Sequence, residues 1–560
     1  MAFALFCAFI SQVPDLVLLR ASPNLDFWVH YNYAREYVAA IGAGEWRPHW
    51  AFQAHEGLGE PGLMYYAPLY YYAVWALHLL TGSVWQAMQW VEIGAGALLG
   101  WFTWRLCADW GYGRLSLLAV PLAVFAPNLV LLHNGFNGYP WASAGGPLAV
   151  LYWALMRPKA FDGRVVDPVA IGALSLVICT HTVTGLMAVI MIGATGLPVV
   201  LRAPVACWRS SAVWRPAATI LGGLALSAWY LLPAFGSLSL IEAGVWRENY
   251  TPYDAFSLPV LSAAAHGIRW FGFQWPISLV SFALCGTGLW IVWRKKEAST
   301  LPPWFAPTLA IVAVTIFLST ELSYPLWMID TPLRNVQFPH RFVTLLEPVA
   351  PFLLVCAWAR IGRWRSSSSL VLGLTAIASL TMGAALVAKS ALVDGESLTP
   401  HLGTLSPYPG LDEYRTAAAA ERGYRSDDFD WPAHCAARNL TCSRIGRSGG
   451  AIRFRVDATD AGPVTLPIFQ FPSWAVEIGG VAVPVRAERL TGLAEVELPA
   501  GRSEIAMFWK PLPLETAGIW TTLAALLLLV TVAIGHRMKR SAARPIARSE
   551  RSPGPLQTST

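Results

Sequence analysis

Charge is what this sequence is short of. Only 13% of its 560 residues are charged, against about 25% in an average soluble protein. That shortage excludes a string of solvated domains, which the length alone would suggest. Metal and nucleotide signatures are missing too. No CxxC or HExxH spacing occurs, so neither a zinc ribbon nor a zinc-protease helix is encoded. There is no Walker A loop, no GxGxxG set between a strand and a helix, and no repeat of fixed period. The net charge is only +6, and the basic residues sit mostly between apolar runs. That is the positive-inside pattern of membrane proteins, and no evidence for nucleic acid as a partner.

What is present is apolar. Hydrophobic residues make up 55% of the chain, with 27 Trp, and the mean hydropathy is +0.46. Runs near the length of a bilayer span predict a polytopic α-helical membrane protein. The expected spans are 2–19, 86–107, 115–133, 141–156, 167–182, 184–202, 215–236, 274–293, 304–320, 342–360, 369–388 and 516–535, about twelve helices. No Lys or Arg precedes the first run, so it reads as an uncleaved helix without the basic region of a signal peptide. The segment 66–82 is about as long as a short span, but Pro68 and its tyrosines suit an interfacial or re-entrant helix. With it non-spanning, the loops rich in Lys and Arg fall inside, as does the basic tail 537–560. The polar clusters then fall outside: 26–66, 133–141, 180–185, 241–254 and 321–342.

Residues 392–514 read as an extracytoplasmic domain between a membrane module (1–391, first external loop 21–85) and a last span (515–536). Its second half alternates in short runs punctuated by Gly and Pro, the pattern of a small antiparallel β-sandwich. Cys435 and Cys442 lie there, where a short-loop disulfide is plausible. The other six cysteines lie in or beside apolar runs, as small core residues.

The first external loop holds the candidate chemistry. Asp26 and His30 are four apart and share a helix face. About thirty residues on comes GLGEPGLMYYAPLYYY, with Glu60, Tyr65 and Tyr66. The same composition also fits an interfacial loop whose Trp and Tyr sit among headgroups.

This order of features resembles the GT-C glycosyltransferase superfamily. More narrowly, it resembles the bacterial YfhO-like membrane proteins, including those labelled 6-pyruvoyl-tetrahydropterin-synthase-related. The features are a first helix, an early loop Asp and a later GxGxPxxxYYxPLxYY. HTVTG (181–185), SAWYLLPA (227–234), QFPHRF (337–342) and FPSWAVEIGGVAVPV (471–485) follow in sequence. The resemblance implies a bacterial plasma-membrane transferase with its active site on the extracytoplasmic face. The donor would be a polyprenyl-phosphate-linked sugar and the acceptor a lipid or envelope glycan. Asp26 matches the family's reacting Asp. The family's second external loop often carries an acid; HNGFNGYPWASAGGP has none, which leaves a divalent metal undecided.

Each candidate has two readings. Asp26 is a general base or a helix cap. His30 orients Asp26, binds phosphate, ligates a metal or is structural. Glu60 contacts acceptor or metal, or is a loop acid. His181 is a site residue or closes a turn. Arg341, with His340, opens a membrane helix on the outer side and suits phosphate, and Arg334 and Arg247 are further phosphate candidates; alternatively all three pair with nearby acids. Tyr65 and Tyr66 stack on sugars or anchor the loop. A lipid-linked saccharide flippase, or a non-catalytic envelope-assembly scaffold, would use similar residues.

Overall fold

Buried in lipid, an apolar segment must satisfy its own backbone, and the helix does so. A computed structural model of the chain describes residues 1–21, 25–134, 136–245, 256–257, 274–295, 300–361, 367–389, 392, 396–397, 405–424, 429–448 and 451–542. The expected spans are helical there, but several are broken. The first run splits into Ala2–Ser11 and Val13–Leu16, because Pro14 cannot donate to carry the ladder through. Among the described residues four helices are long and apolar enough to cross a membrane: Gly113–His133, Thr182–Arg202, Trp275–Arg294 and Pro513–Gly535. Two bent pairs raise this to six. Ser211–Leu226 meets Ala228–Gly236 at 75°, and Pro339–Leu346 meets Val349–Ile361 at 43°.

Twelve such helices were expected. Six of the expected spans fall short of that. Ala2–Ser11, Pro168–Thr180, Phe305–Ser319 and Ala376–Lys389 are apolar but short, 141–156 is divided between Tyr139–Ser143 and Gly145–Met156, and Val84–Asp109 is interrupted by Glu92 and Arg105. Leu69–Thr81 is only 13 residues long, about 20 Å of helix, too short to span. The last helix shows why lipid is needed. Trp520, Leu527 and Leu528 are 68%, 70% and 66% exposed, an apolar surface no soluble monomer leaves in water.

Ten strands are described. β1 (Arg20–Ala21) and β2 (Glu396–Ser397) pair antiparallel. The rest form the β-rich region: β3 (Leu440–Ser448), β4 (Ala451–Ala458), β5 (Gly462–Phe469), β6 (Trp474–Ile478), β7 (Val481–Val483), β8 (Arg486–Ala487), β9 (Leu493–Leu498) and β10 (Gly501–Trp509). One sheet has the order β3-β4-β10-β6-β7 and the other β5-β9-β8, with all neighbours antiparallel. Period-two burial explains the pairing of sheets. Ile452, Phe454 and Val456 on β4 and Ile505 and Met507 on β10 share one core with Val464, Leu466 and Ile468 on β5 and Val496 and Leu498 on β9. Gly479 and Gly480, both at positive φ, make the tight turn from β6 to β7 that suits hairpin twist. Cys435 and Cys442 are joined in a disulfide; the other six cysteines are free and buried.

The sandwich sits on the first loop. Trp50 packs edge-on against Trp474 at 5.1 Å. Glu515, at the start of the last helix, is wholly buried and meets Arg47 at 3.1 Å and His49 at 2.9 Å. The Phe469 amide donates to the Leu58 carbonyl at 3.1 Å.

Candidate active site

The Leu25–Gly42 helix carries Asp26 in its first turn. It is buried nearly all round, through Phe27, His30, Tyr31, Asn32, Tyr33, Ala34, Glu36, Tyr37, Ala40 and Ile41, as a helix enclosed by protein on every side is. Asp26 stands at the second helical position, inside the turn, so it faces the helix dipole rather than capping from outside. Among the described residues its carboxylate accepts no hydrogen bond and makes no ion pair. The side chain is exposed, yet protein crowds round it. Desolvation there raises its pKa above the ordinary value, and the Arg341 charge opposes that shift.

Arg341 comes from a distant part of the sequence. Its guanidinium lies 4.9 Å from the centre of the Trp141 ring and 4.8 Å from that of Phe338. It donates to the Val336 carbonyl at 3.1 Å and to Gln337 Oε1 at 3.0 Å. Gln337 takes φ 63° and ψ −57°, a rare γ-turn closed by the Phe338 amide donating to the Val336 carbonyl at 2.7 Å. The Arg341 charge acts on Asp26, Tyr66 and His181 alike, so these side chains converge from four separate stretches. A planar cation held on two rings and two carbonyl-type oxygens is fixed in orientation.

His181 N-caps the Thr182–Arg202 helix: its Nδ1 accepts from the Thr184 amide at 3.3 Å and meets the Thr184 hydroxyl at 2.8 Å. With Nδ1 accepting, the proton sits on Nε2. The ring stacks on Trp141, 6.1 Å between centroids and 11° off parallel. Burial, then Arg341 and His30, push its pKa well down, so it acts as a neutral donor. His30 is likewise neutral, its pKa pushed by burial down to about 3. Its Nδ1 meets the Tyr71 hydroxyl at 2.9 Å, and its ring is edge-on to Tyr66 at 5.4 Å. A neutral His30 cannot supply charge to a phosphate, but it can orient and donate.

Other candidates are placed elsewhere. Glu60 is wholly buried. Tyr33 donates to its Oε1 at 2.5 Å, the Leu411 amide to its Oε2 at 3.0 Å, and His55 Nε2 lies 2.9 Å away. A Cβ at Gly62 would overlap the Tyr33 hydroxyl, so only glycine lets the loop close there. Glu60 is thus a clamp between the first loop and the segment before the sandwich. Tyr65 spends its hydroxyl on the Ser237 carbonyl at 2.7 Å and stacks on Tyr414 at 6.1 Å. His340 is buried, 5.7 Å from the Phe338 ring. No described contact brings the Arg334 side chain to Asp26, and Arg247 lies outside the described residues. The expected metal set of Asp26, His30 and Glu60 is not assembled, because Glu60 is enclosed. Among the described residues no three His, Cys, Asp or Glu side chains gather to hold a metal.

Two members were not singled out from the sequence. Trp141 lies in HNGFNGYPW, noted only as a polar cluster. Glu413 lies in the Asp412–Tyr414 turn, within electrostatic reach of both Asp26 and Glu60, and burial raises its pKa to about 7. Only the fold brings that segment back over the first loop.

No protein-family model matches the chain. Curated protein sequences give no match either. Among solved structures, the chain is similar to the arabinofuranosyltransferase AftD from mycobacteria, with TM-score 0.46 and 15% identity over 91% of this chain and 40% of that one. It is also similar to the arabinosyltransferase EmbB from Mycobacterium smegmatis, with TM-score 0.39 and 11% identity over 90% of this chain and 62% of that one. The chain therefore spans 40% and 62% of the lengths of these two structures.

Proposed function

We propose that the protein is a GT-C-type membrane glycosyltransferase. It would take a sugar from a polyprenyl-phosphate donor and pass it to a lipid or cell-envelope glycan on the extracytoplasmic face. The observation that carries this reading is an accessible carboxylate, Asp26, with no described hydrogen-bond or ion-pair partner, in the field of an oriented guanidinium, Arg341. The motif order beginning at Asp26 supports it.

In this scheme the acceptor oxygen attacks the anomeric carbon while Asp26 takes the hydroxyl proton. The bond from that carbon to the phosphate oxygen breaks, and its electrons leave with the polyprenyl phosphate. Arg341 and the His181 Nε2–H stabilise the departing phosphate. The raised pKa makes Asp26 a better base than a solvated carboxylate. One displacement at one face inverts the configuration. His30, Tyr66 and Trp141 wall the sugar.

The test is release of sugar from radiolabelled polyprenyl-phosphate sugars by the protein in lipid, wild type against Asp26→Asn, with and without divalent metal. Turnover that vanishes in the variant supports the enzyme. Equal turnover in both removes Asp26 as base. Tight lipid binding with no turnover for any donor favours a flippase or scaffold.

A further inference from the structure

Arg341 is followed at three-residue steps by Thr344 and Glu347. In an α-helix three such residues fan over about 120°. Here the chain is wound tighter. Pro339–Leu346 is a 3₁₀ helix, in which side chains three apart eclipse. The Arg341 amide donates to the Phe338 carbonyl at 3.0 Å, and the Glu347 amide to the Thr344 carbonyl at 3.2 Å, so the three-residue closure holds at both ends of the row. Arg341, Thr344 and Glu347 therefore stand one above another on one face. Eight residues is long for this winding, whose hydrogen bonds are poorer than those of an α-helix.

Each member of the row meets another element. The Arg341 guanidinium lies over the Trp141 ring. The Trp141 Nε1–H donates to Thr344 Oγ1 at 3.0 Å. Asn128 Nδ2 donates to Glu347 Oε1 at 2.7 Å and reaches Thr344 Oγ1 at 3.4 Å. Asn128, Thr344 and Glu347 are 2%, 1% and 4% exposed, so these bonds are shut from bulk solvent and costly to break. One short helix thus holds the indole twice, its ring by Arg341 and its N–H by Thr344. An indole bonded through its N–H cannot tilt without bending that bond, and the cation on its ring is aimed with it. His181 stacks on the same indole.

We propose that Thr344 is a positioning residue for the Arg341 guanidinium, acting through Trp141, with Asn128 and Glu347 as its anchor. A cation that stabilises a departing phosphate must be oriented before the bond breaks; here a hydroxyl one turn further along the helix supplies the orientation. This rests on the reading of Arg341 as a phosphate ligand, and the test separates the two.

Binding of farnesyl phosphate, a short polyprenyl phosphate without a sugar, is measured on full-length protein in lipid nanodiscs. Thr344→Val keeps the side-chain shape and removes the hydroxyl; Thr344→Ser keeps the hydroxyl. Thr344→Val should weaken binding roughly tenfold, and Thr344→Ser should bind as wild type. Arg341→Gln should weaken binding at least as much, and Thr344→Val should add nothing to it, as for a residue that acts only through another. Wild-type binding in Thr344→Val, with Arg341→Gln weakened, overturns the positioning role and leaves the phosphate reading standing. A loss that Thr344→Ser shares, or that adds in full to Arg341→Gln, does the same. Wild-type binding in Arg341→Gln removes the phosphate reading and the positioning role together. Where Thr344→Val fails to fold, Asn128→Leu cuts the anchor instead, and its loss must likewise vanish in the Arg341→Gln background.

Discussion

Replacing Glu60 separates a clamp from a catalytic acid. The wild-type carboxylate accepts from Tyr33 at 2.5 Å and from the Leu411 amide at 3.0 Å, with His55 at 2.9 Å. Hydrogen bonds to a charged group contribute about 1.5–3 kcal/mol each. Glu60→Ala orphans a buried hydroxyl and a backbone amide, so the cost should be about 3–5 kcal/mol. Glu60→Gln keeps one acceptor but turns its NH₂ toward the other donor, and should cost roughly half as much. At about 2–4 °C per kcal/mol for a unit of 150–250 residues, Glu60→Ala lowers Tm by roughly 6–20 °C. The assay is thermal unfolding in nanodiscs together with hydrogen exchange of residues 405–416, which should lose protection in the same order. Wild-type Tm and protection in Glu60→Ala would refute the clamp. So would a Glu60→Gln variant that loses transfer while keeping full stability, since that outcome belongs to a reacting acid.

Three further outcomes are expected. Desolvation raises the Asp26 pKa and Arg341 opposes it, so transfer should fall as pH drops through a limb above the ordinary Asp range; Arg341→Gln should move that limb to higher pH, read from a pH profile of kcat/KM. His181→Asn keeps a good N-cap for the Thr184 amide but removes the Nε2–H, so Tm should hold while kcat/KM falls roughly tenfold to a hundredfold. Cys435→Ser with Cys442→Ser opens a loop of sequence separation 7, which should cost the sandwich roughly 2–3 kcal/mol and speed its proteolysis.

The apolar runs made most helices legible, because composition over twenty residues reports burial in lipid. They did not show where a helix breaks: Pro14 splits the first run, and Ser227 marks a 75° bend that no charge pattern signals. Alternating residues announced the sandwich strands. In the site, Asp26 and Arg341 were readable because each is an ionisable residue at an apolar boundary. Glu60 has the same signature in sequence, yet its partners Tyr33 and Leu411 stand 27 and 351 residues away. A clamp and a catalytic acid differ only in what reaches them, and that is set by the tertiary fold. Glu413 was hidden for the same reason.

The long separation of Glu60 from Leu411 also bears on biosynthesis. A ribosome adding roughly 5–20 residues per second needs roughly 20–70 s to make the 351 residues between them. Through that interval Glu60 lacks its Leu411 donor, and His49 and Trp50 wait still longer for Glu515 and Trp474. The early loop therefore waits with these contacts unmade, and it is the segment a quality-control protease or chaperone would meet first.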